Sequence, residues 1–266
     1  LGQTARIASW SLATILVMQL GGFVTNNIVA TGSGAGPSTG AMGNVWLVFM
    51  MPHSVLAVSL ATAYFTRLSE WGQSGMMSEF RRDFSASARQ IALVMVLASA
   101  VLLAAAPFVS RVMNFGATQL QVDQFSLALQ AYLISLAAYS FLFVVQRAFY
   151  ALSDTRTPFV FTTVQILMVV VLSLFLLLAP DAIVGILFAA VWSFAPLIEA
   201  VLATWLLRRR LGAIDGRRIA ASLVRYLLAA VPAVLVGFAA VALLGSWFGE
   251  PDALTAVAFA ALVAVL

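Results

Sequence analysis

Two long apolar runs meet at the stretch Gln146-Arg147-Ala148-Phe149-Tyr150-Ala151-Leu152-Ser153-Asp154-Thr155-Arg156-Thr157-Pro158-Phe159. Proline has a fixed φ and no N–H, so Pro158 suits the first position of a helix. Asp154 or Thr155 can cap that helix by accepting a hydrogen bond from one of its first amides. The stretch therefore predicts the end of one helix, a short turn and the start of a second helix.

Charged side chains are concentrated around this turn. Arg147, Asp154 and Arg156 are close enough in the sequence to form ion pairs with one another. We expect these three residues, together with Pro158, to form an ionic gate at one mouth of the helix pair. We also expect Gln146 and Arg147 to face a polar cavity.

Apolar runs occupy most of the chain, which is 63% hydrophobic and 9% charged. A soluble domain is roughly 45–50% apolar and about 25% charged. We identify eight apolar runs, at 7–30, 41–66, 88–110, 124–151, 158–179, 182–207, 223–247 and 253–266. All but the last approach or exceed the ~20 residues that a spanning helix needs. Because lipid cannot satisfy an open sheet edge, we predict an all-α, polytopic membrane bundle of about eight transmembrane helices.

Arginine is distributed very unevenly between the loops. The chain has no lysine, and thirteen of its fourteen arginines fall on one side when the apolar runs are read as spans. Arg111 is the exception. Since positively charged loops resist translocation, the arginine-rich side is predicted to be cytoplasmic. The N-terminal end and the turn at Ser153 are then cytoplasmic, and residues 114–123 are external.

Several kinds of chemistry are disfavoured by the composition. The chain has no cysteine and a single histidine, so disulfides, thiol nucleophiles and His-rich metal sites are excluded. No nucleophile–base arrangement or phosphate-binding loop is present either. The basic residues sit at helix ends, where they act as topology signals, and we reject nucleic acid as a partner. We expect no enzyme activity, cofactor or metal.

Glu199 is the most unusual polar residue inside a predicted span. It lies about eight residues before Arg208, roughly 12 Å inside the boundary, and three residues after Pro196. An ionised carboxylate that faced lipid would be unfavourable by several kcal/mol. Glu199 is therefore expected to face a cavity or a cation or to be protonated; the alternative is that it only reaches toward the headgroups.

Pro52 interrupts the second apolar run. A proline inside a helix removes a backbone hydrogen bond and bends the axis, so we expect a bend there. Ser59 and Thr62 follow and are predicted to line a polar path. His53 either titrates near neutral pH or is a hydrogen-bonded packing residue.

Two further segments leave alternatives open. Met76, Met77, Phe80 and Phe84 share a rough helical face, so residues 76–84 form either a short amphipathic helix on the cytoplasmic surface or a solvated loop. Asn26 and Asn27 either cap the first helix or line a cavity.

The stretch Arg147–Pro158 resembles a pattern of the MurJ/MviN family of lipid II flippases, within the wider multidrug, oligosaccharidyl-lipid and polysaccharide exporter superfamily. Relatives carry Arg-Ala-Phe-Tyr-Ala-x-x-Asp-Thr-x-Thr-Pro between their tenth and eleventh helices, and this chain matches every fixed position. Residues 52–63, followed by Arg67-Leu68-Ser69, are similar to the family's eighth helix. Glu199 occupies a position in the twelfth helix that is often Asn in relatives.

This resemblance implies that the chain is an excerpt from a fourteen-helix transporter of the bacterial cytoplasmic membrane. Residues 1–210 would form the carboxyl-side six-helix lobe, and residues 211–266 the final helix pair, with the last helix truncated. The partners implied are lipid II, membrane lipids and the missing amino-side lobe of the same chain. Such proteins move the undecaprenyl-diphosphate-linked precursor from the inner to the outer leaflet by alternating access. Another exporter of the superfamily, or a non-transporting membrane scaffold, is the alternative.

Two positions depart from the family pattern. Relatives often place an arginine five residues before the eighth-helix proline, where this chain has Leu47. Some relatives bind sodium through Asn or Asp in the eleventh helix, at positions that correspond here to Val169 and Ser173. These two departures from the pattern imply that the cavity of this branch is lined differently from that of its relatives.

The predicted topology is testable because the chain has no native cysteine. In intact cells that express the full-length protein, Ala117→Cys is expected to react with a membrane-impermeant maleimide. Ser153→Cys is expected to react only after the cells are opened. Labelling of Ser153→Cys in intact cells would show that the orientation is opposite to the predicted one.

Overall fold

The computed structural model describes residues 2–32, 36–248 and 252–265, and within these ranges the chain is helical without any strand. Ten α-helices lie in these ranges: α1 Gly2–Thr31, α2 Thr39–Pro52, α3 Val58–Ser74, α4 Met77–Met113, α5 Gln119–Leu133, α6 Leu136–Ala151, α7 Arg156–Phe175, α8 Asp181–Leu211, α9 Gly216–Phe248 and α10 Ala253–Val265. A five-residue π-helical turn, His53–Ala57, joins α2 to α3. A helix satisfies the backbone polar groups of its interior turns, as lipid requires.

The helices account for the predicted spans. Within the described ranges, six helical stretches are long and apolar enough to cross a membrane, and α5 with α6 forms a seventh stretch bent by 43°. The eighth apolar run is a shorter helix, Leu254–Val263. The prediction of an all-α polytopic bundle is therefore confirmed.

Helix α4 is the hub of the packing, since it contacts α3, α5, α6, α9 and α10. Its side chains Phe80, Phe84, Ile91 and Met95 are completely buried in the main core. On another face of α4, small residues let α9 approach closely, because a Cβ at Gly237 would collide with Ala104. Close backbone approach through small residues is the usual way that helices associate in lipid.

The segment at residues 76–84 is neither a separate surface helix nor a loop. It forms the N-terminal end of the continuous helix α4, and Phe80 and Phe84 point into the core. Protein therefore covers the Phe80 and Phe84 part of this face, whereas Met76, just before α4, is exposed. This corrects both alternatives left open above.

An ion-pair cluster at the same end fixes α4 against α3. Asp83 is buried, and its carboxylate accepts hydrogen bonds from Arg67 Nη2 at 2.9 Å and Trp71 Nε1 at 2.9 Å. Arg82 Nε lies 3.8 Å from the same carboxylate. A buried carboxylate needs such partners, because an unpaired one is strongly destabilising.

The second span changes its hydrogen bonding at the expected proline. Helix α2 ends at Pro52, and the amide of Val58 donates to the carbonyl of His53, five residues back. Single π-helical turns inside a span are frequent at functional sites. The residues Thr39–Ser74 nevertheless form one continuous crossing.

The Asp83 cluster predicts a difference between two Asp→Asn variants of the full-length protein. Asp83→Asn removes the charge that pairs with Arg67, and we expect it to lower stability by about 2 kcal/mol. Asp123→Asn, at an exposed carboxylate bonded to Gln119, is expected to change it by less than about 0.5 kcal/mol. Unfolding of the purified proteins in detergent measures the difference; equal midpoints would contradict the role of Asp83.

Candidate functional site

A polar cavity lies between α1, the π-helical turn, α6, α7 and α8. This inner cavity has a volume of about 530 Å³. Its polar lining residues are Ser11, Thr14, His53, Tyr139, Gln146, Tyr150, Ser153, Thr155, Thr162, Gln165 and Glu199. Polar side chains in the interior of a membrane bundle are rare and mark substrate or ion pathways, so this cavity is the candidate site.

In the part of the lining that the structure describes, Glu199 is the only acidic residue of the inner cavity. Its side chain is buried, with 4% of the residue exposed. The hydroxyl of Thr162 on α7 donates to Glu199 Oε1 at 3.2 Å. The carboxyl group therefore faces the cavity rather than reaching toward the headgroups.

His53 lines the inner cavity and is held on several sides. Its Nδ1 is 2.9 Å from Ser140 Oγ. The rings of Tyr139 and Phe143 contact it edge-on, with centroids 4.9 and 5.4 Å away. This is the hydrogen-bonded packing arrangement, on a residue that also borders the cavity.

The remaining predicted cavity residues divide into two groups. Gln146 lines the inner cavity, as expected. Ser59 and Thr62 lie outside it, on the exposed face of α3. Each hydroxyl donates to the carbonyl four residues earlier in its own helix, Val55 at 2.6 Å and Val58 at 2.7 Å. They point outward because Ala57, Ala61 and Leu68 take the buried face of the same helix.

Arg147 is not among the inner-cavity lining residues. Its guanidinium lies over the rings of Phe143 and Phe65, at 4.7 and 5.4 Å from their centroids. The Nε atom is buried and has no hydrogen-bond partner. An arginine on two aromatic faces is held by cation–π attraction rather than by a carboxylate.

The expected ionic gate does not form among the described residues, whose ion pairs involve Asp83 instead. Asp154 accepts hydrogen bonds from the amide of Thr157 at 3.0 Å and its hydroxyl at 2.8 Å. Asp154 thus caps the start of α7, which also neutralises the dipole there. The guanidinium of Arg156 lies over the Trp10 ring at 5.8 Å.

Pro158 is the third residue of α7, because the helix begins at Arg156. Its side chain is buried. The prediction that it would start the helix is therefore wrong by two residues. Its place in the first turn still suits a residue that has no amide to donate.

A second cavity, of about 570 Å³, lies at the other end of α1. Asn26, Asn27 and Thr39 contribute polar groups to this outer cavity, and Trp46 and Trp192 contribute aromatic ones. Asn27 also donates from Nδ2 to the carbonyl of Phe23 at 2.8 Å, so it bonds its own helix while bordering the cavity. Only the paired amides signal this cavity in the sequence, because the aromatic wall comes from separate helices.

Comparisons with known proteins agree with this architecture. The family model described as lipid II flippase MurJ matches residues 1–251. The fold is similar to a solved structure titled "Lipid II flippase MurJ, inward closed conformation", with a TM-score of 0.70 and 17% sequence identity. The alignment covers 95% of this chain and 50% of that chain, so this chain spans about half the length of that relative.

The contact between His53 and Ser140 predicts a selective effect on stability. Ser140→Ala leaves His53 Nδ1 without its buried partner and is expected to lower stability by about 1 kcal/mol. Ser59→Ala removes a hydroxyl that bonds only its own helix on an exposed face. We expect it to change stability by less than about 0.5 kcal/mol. Thermal unfolding of full-length protein in detergent measures both; a larger loss for Ser59→Ala would refute the ranking.

Proposed function

Because the chain belongs to the lipid II flippase MurJ family, we propose that it supplies the carboxyl-side half of a lipid-linked cell-wall precursor flippase. The family match over residues 1–251 is the observation that carries this proposal. The protein would act in the bacterial cytoplasmic membrane and move lipid II from the inner to the outer leaflet by alternating access. The chain itself is a multi-pass membrane protein, with helices that cross the bilayer several times.

Flipping requires a polar path rather than bond chemistry. A diphosphate and its sugars lose hydration when they enter hydrocarbon, and the resulting free-energy cost is large without compensating polar contacts. A protein can lower this cost by lining a cavity with hydroxyls, amides and charged groups, while the hydrocarbon tail stays in lipid. The polar groups that this chain places inside its spans support such a path.

We propose that the path runs along the outer face of α1 and α3, opposite the amino-side lobe. Ser59 and Thr62 lie on this exposed face of α3. Helix α1 packs mainly against α7 and leaves much of its length uncovered. Residues 1–210 would form one lobe, and residues 211–266 a helix pair beside it. The packing of α9 and α10 chiefly on α4 supports this division.

We propose that Arg147 binds the anionic part of the substrate near the cytoplasmic end of α6. Among the described residues, no carboxylate lies within ion-pair distance of it, and its side chain is partly exposed. Phe65 and Phe143 fix the plane of the guanidinium. A planar guanidinium matches diphosphate oxygens in a two-point contact that an ammonium cannot reproduce.

Another exporter of the same superfamily remains the second candidate, and Leu47 favours it. This residue is exposed on α2, at a position where arginine would suit a diphosphate. An apolar group there fits a substrate with a less acidic headgroup. Transport of lipid II and of other undecaprenyl-linked glycans by the full-length protein distinguishes the two candidates.

Substitution of Arg147 tests the proposed substrate contact. In the full-length protein, Arg147→Ala is expected to reduce flipping on the order of tenfold, equivalent to about 1.4 kcal/mol of lost interaction. Arg147→Lys is expected to recover only part of it, since lysine lacks the planar fork. Flipping in vesicles and complementation of a flippase-depleted strain are the measurements.

Arg209→Ala is the matched control, because Arg209 also lies over an aromatic ring, that of Trp205, but at the end of α8. We expect wild-type flipping and equal membrane insertion for this variant. Full complementation by Arg147→Ala at wild-type protein level would refute the assignment.

A further inference from the structure

The described residues around Glu199 do not compensate the negative charge that an ionised carboxylate would carry there. It lies within the spanning helix α8, and its side chain is buried. Among the described residues, the hydroxyl of Thr162 is the one hydrogen-bond donor that reaches its carboxyl group. An ionised carboxylate at this depth is expensive unless it meets a cation or takes up a proton.

Within the ranges that the structure describes, the neighbouring helices place no fixed cation beside Glu199. On α6 and α7, the guanidiniums of Arg147 and Arg156 lie over aromatic rings rather than beside Glu199. The ion pairs of the described residues involve Asp83, on α4. On α8 itself, Asp181 lies in the first turn and the basic residues in the last.

Of the described residues that line the inner cavity, Glu199 is the only acid. His53, Tyr139 and Tyr150 share its lining. On α5, Asp123 is exposed and bonded to Gln119, and Tyr132 borders the outer cavity. The described side chains of α1, residues 8–31, include no acid or base.

The arrangement fits a proton better than a metal ion. Sodium, like other hard cations, prefers several oxygen ligands arranged around it. The described residues contain no group of three His, Cys, Asp or Glu side chains placed to hold a metal. A proton needs one carboxylate oxygen, and the neutral acid can remain bonded to Thr162.

The inner cavity also supplies a route for the proton. Ser153 and Thr155, in the turn between α6 and α7, line one end of it, and Glu199 and His53 lie further in. The turn is predicted to be cytoplasmic. His53 is also the first residue of the π-helical turn that joins α2 to α3.

We propose that Glu199 is a proton-binding site, loaded from the side of the α6–α7 turn, whose occupancy biases the packing of α7 and α8 around the inner cavity. The neutral acid favours the closed, dry arrangement, and the carboxylate favours a hydrated, more open one. A ligand shifts a conformational equilibrium only by its differential affinity for the two states, and the proton has that difference here. The consequence for transport rests on the proposed flippase function, whereas the binding site does not.

The test separates proton binding from transport. Infrared difference spectra of the purified full-length protein in lipid, recorded across a pH titration, report the carbonyl band of a protonated carboxylic acid. We expect one such band in the wild type, its loss in Glu199→Gln, and a shifted band in Glu199→Asp. Glu70→Gln is the matched control at an exposed acid on α3 and should keep the band. In vesicles, lipid II flipping by the wild type should vary with pH, and this dependence should be lost in Glu199→Gln.

Each outcome tests either the proton site at Glu199 or the proposed flippase function. Absence of the band from the wild type, or its persistence in Glu199→Gln, overturns the proton site. A band that responds to added sodium at constant pH also overturns it, in favour of a sodium site. A titrating band in a protein that flips no lipid II supports the proton site and refutes the proposed function. Flipping with unchanged pH dependence in Glu199→Gln supports the function and refutes coupling through Glu199.

Discussion

Lipid offers no hydrogen bonds, and this constraint explains the placement of many of the polar groups described within the spans. Most hydroxyls within the spans solve it locally, by donating to a carbonyl of the preceding helical turn. Thr25 bonds Gly21 at 3.0 Å and Ser110 bonds Ala106 at 2.6 Å in this way. Carboxyl, imidazole and long amide groups cannot form their hydrogen bonds with their own helix in this way, because their polar atoms lie further from the backbone. Glu199 is among the groups that gather around the inner cavity for this reason.

The spans were predictable from the sequence because membrane crossing needs only length and apolar composition. Residues 76–84 were not, because an amphipathic pattern states that one face is apolar without stating what covers it. The apolar face could meet lipid headgroups or protein, and both give the same pattern. The deciding contact is the ion pair of Asp83 with Arg67, which joins the start of α4 to α3. Long-range pairing of this kind leaves no local signature.

The site was predictable in part for the same reason. Glu199 and Gln146 were found because an acid or amide within an apolar run has few alternatives to a cavity. The predicted ion pairs of the gate are not seen, because Arg147, Asp154 and Arg156 were grouped only by their closeness in the sequence. Helix capping satisfies Asp154 within three residues, while the arginines find aromatic faces. One of these, Phe65, belongs to α3, which the turn sequence does not reveal.

The volume of the inner cavity distinguishes two roles that the sequence analysis did not separate, the passage of the substrate and the binding of a small ligand. At about 530 Å³, it falls within the range of sites for drug-sized ligands. A headgroup of two sugars, a diphosphate and a peptide is larger than such ligands. The substrate path that we propose therefore runs outside this bundle, against a second lobe. The exposed positions of Ser59 and Thr62 on α3 agree with that path. A cavity of this size with a buried acid in its lining suits a small, positively charged ligand, which agrees with the proton site proposed at Glu199.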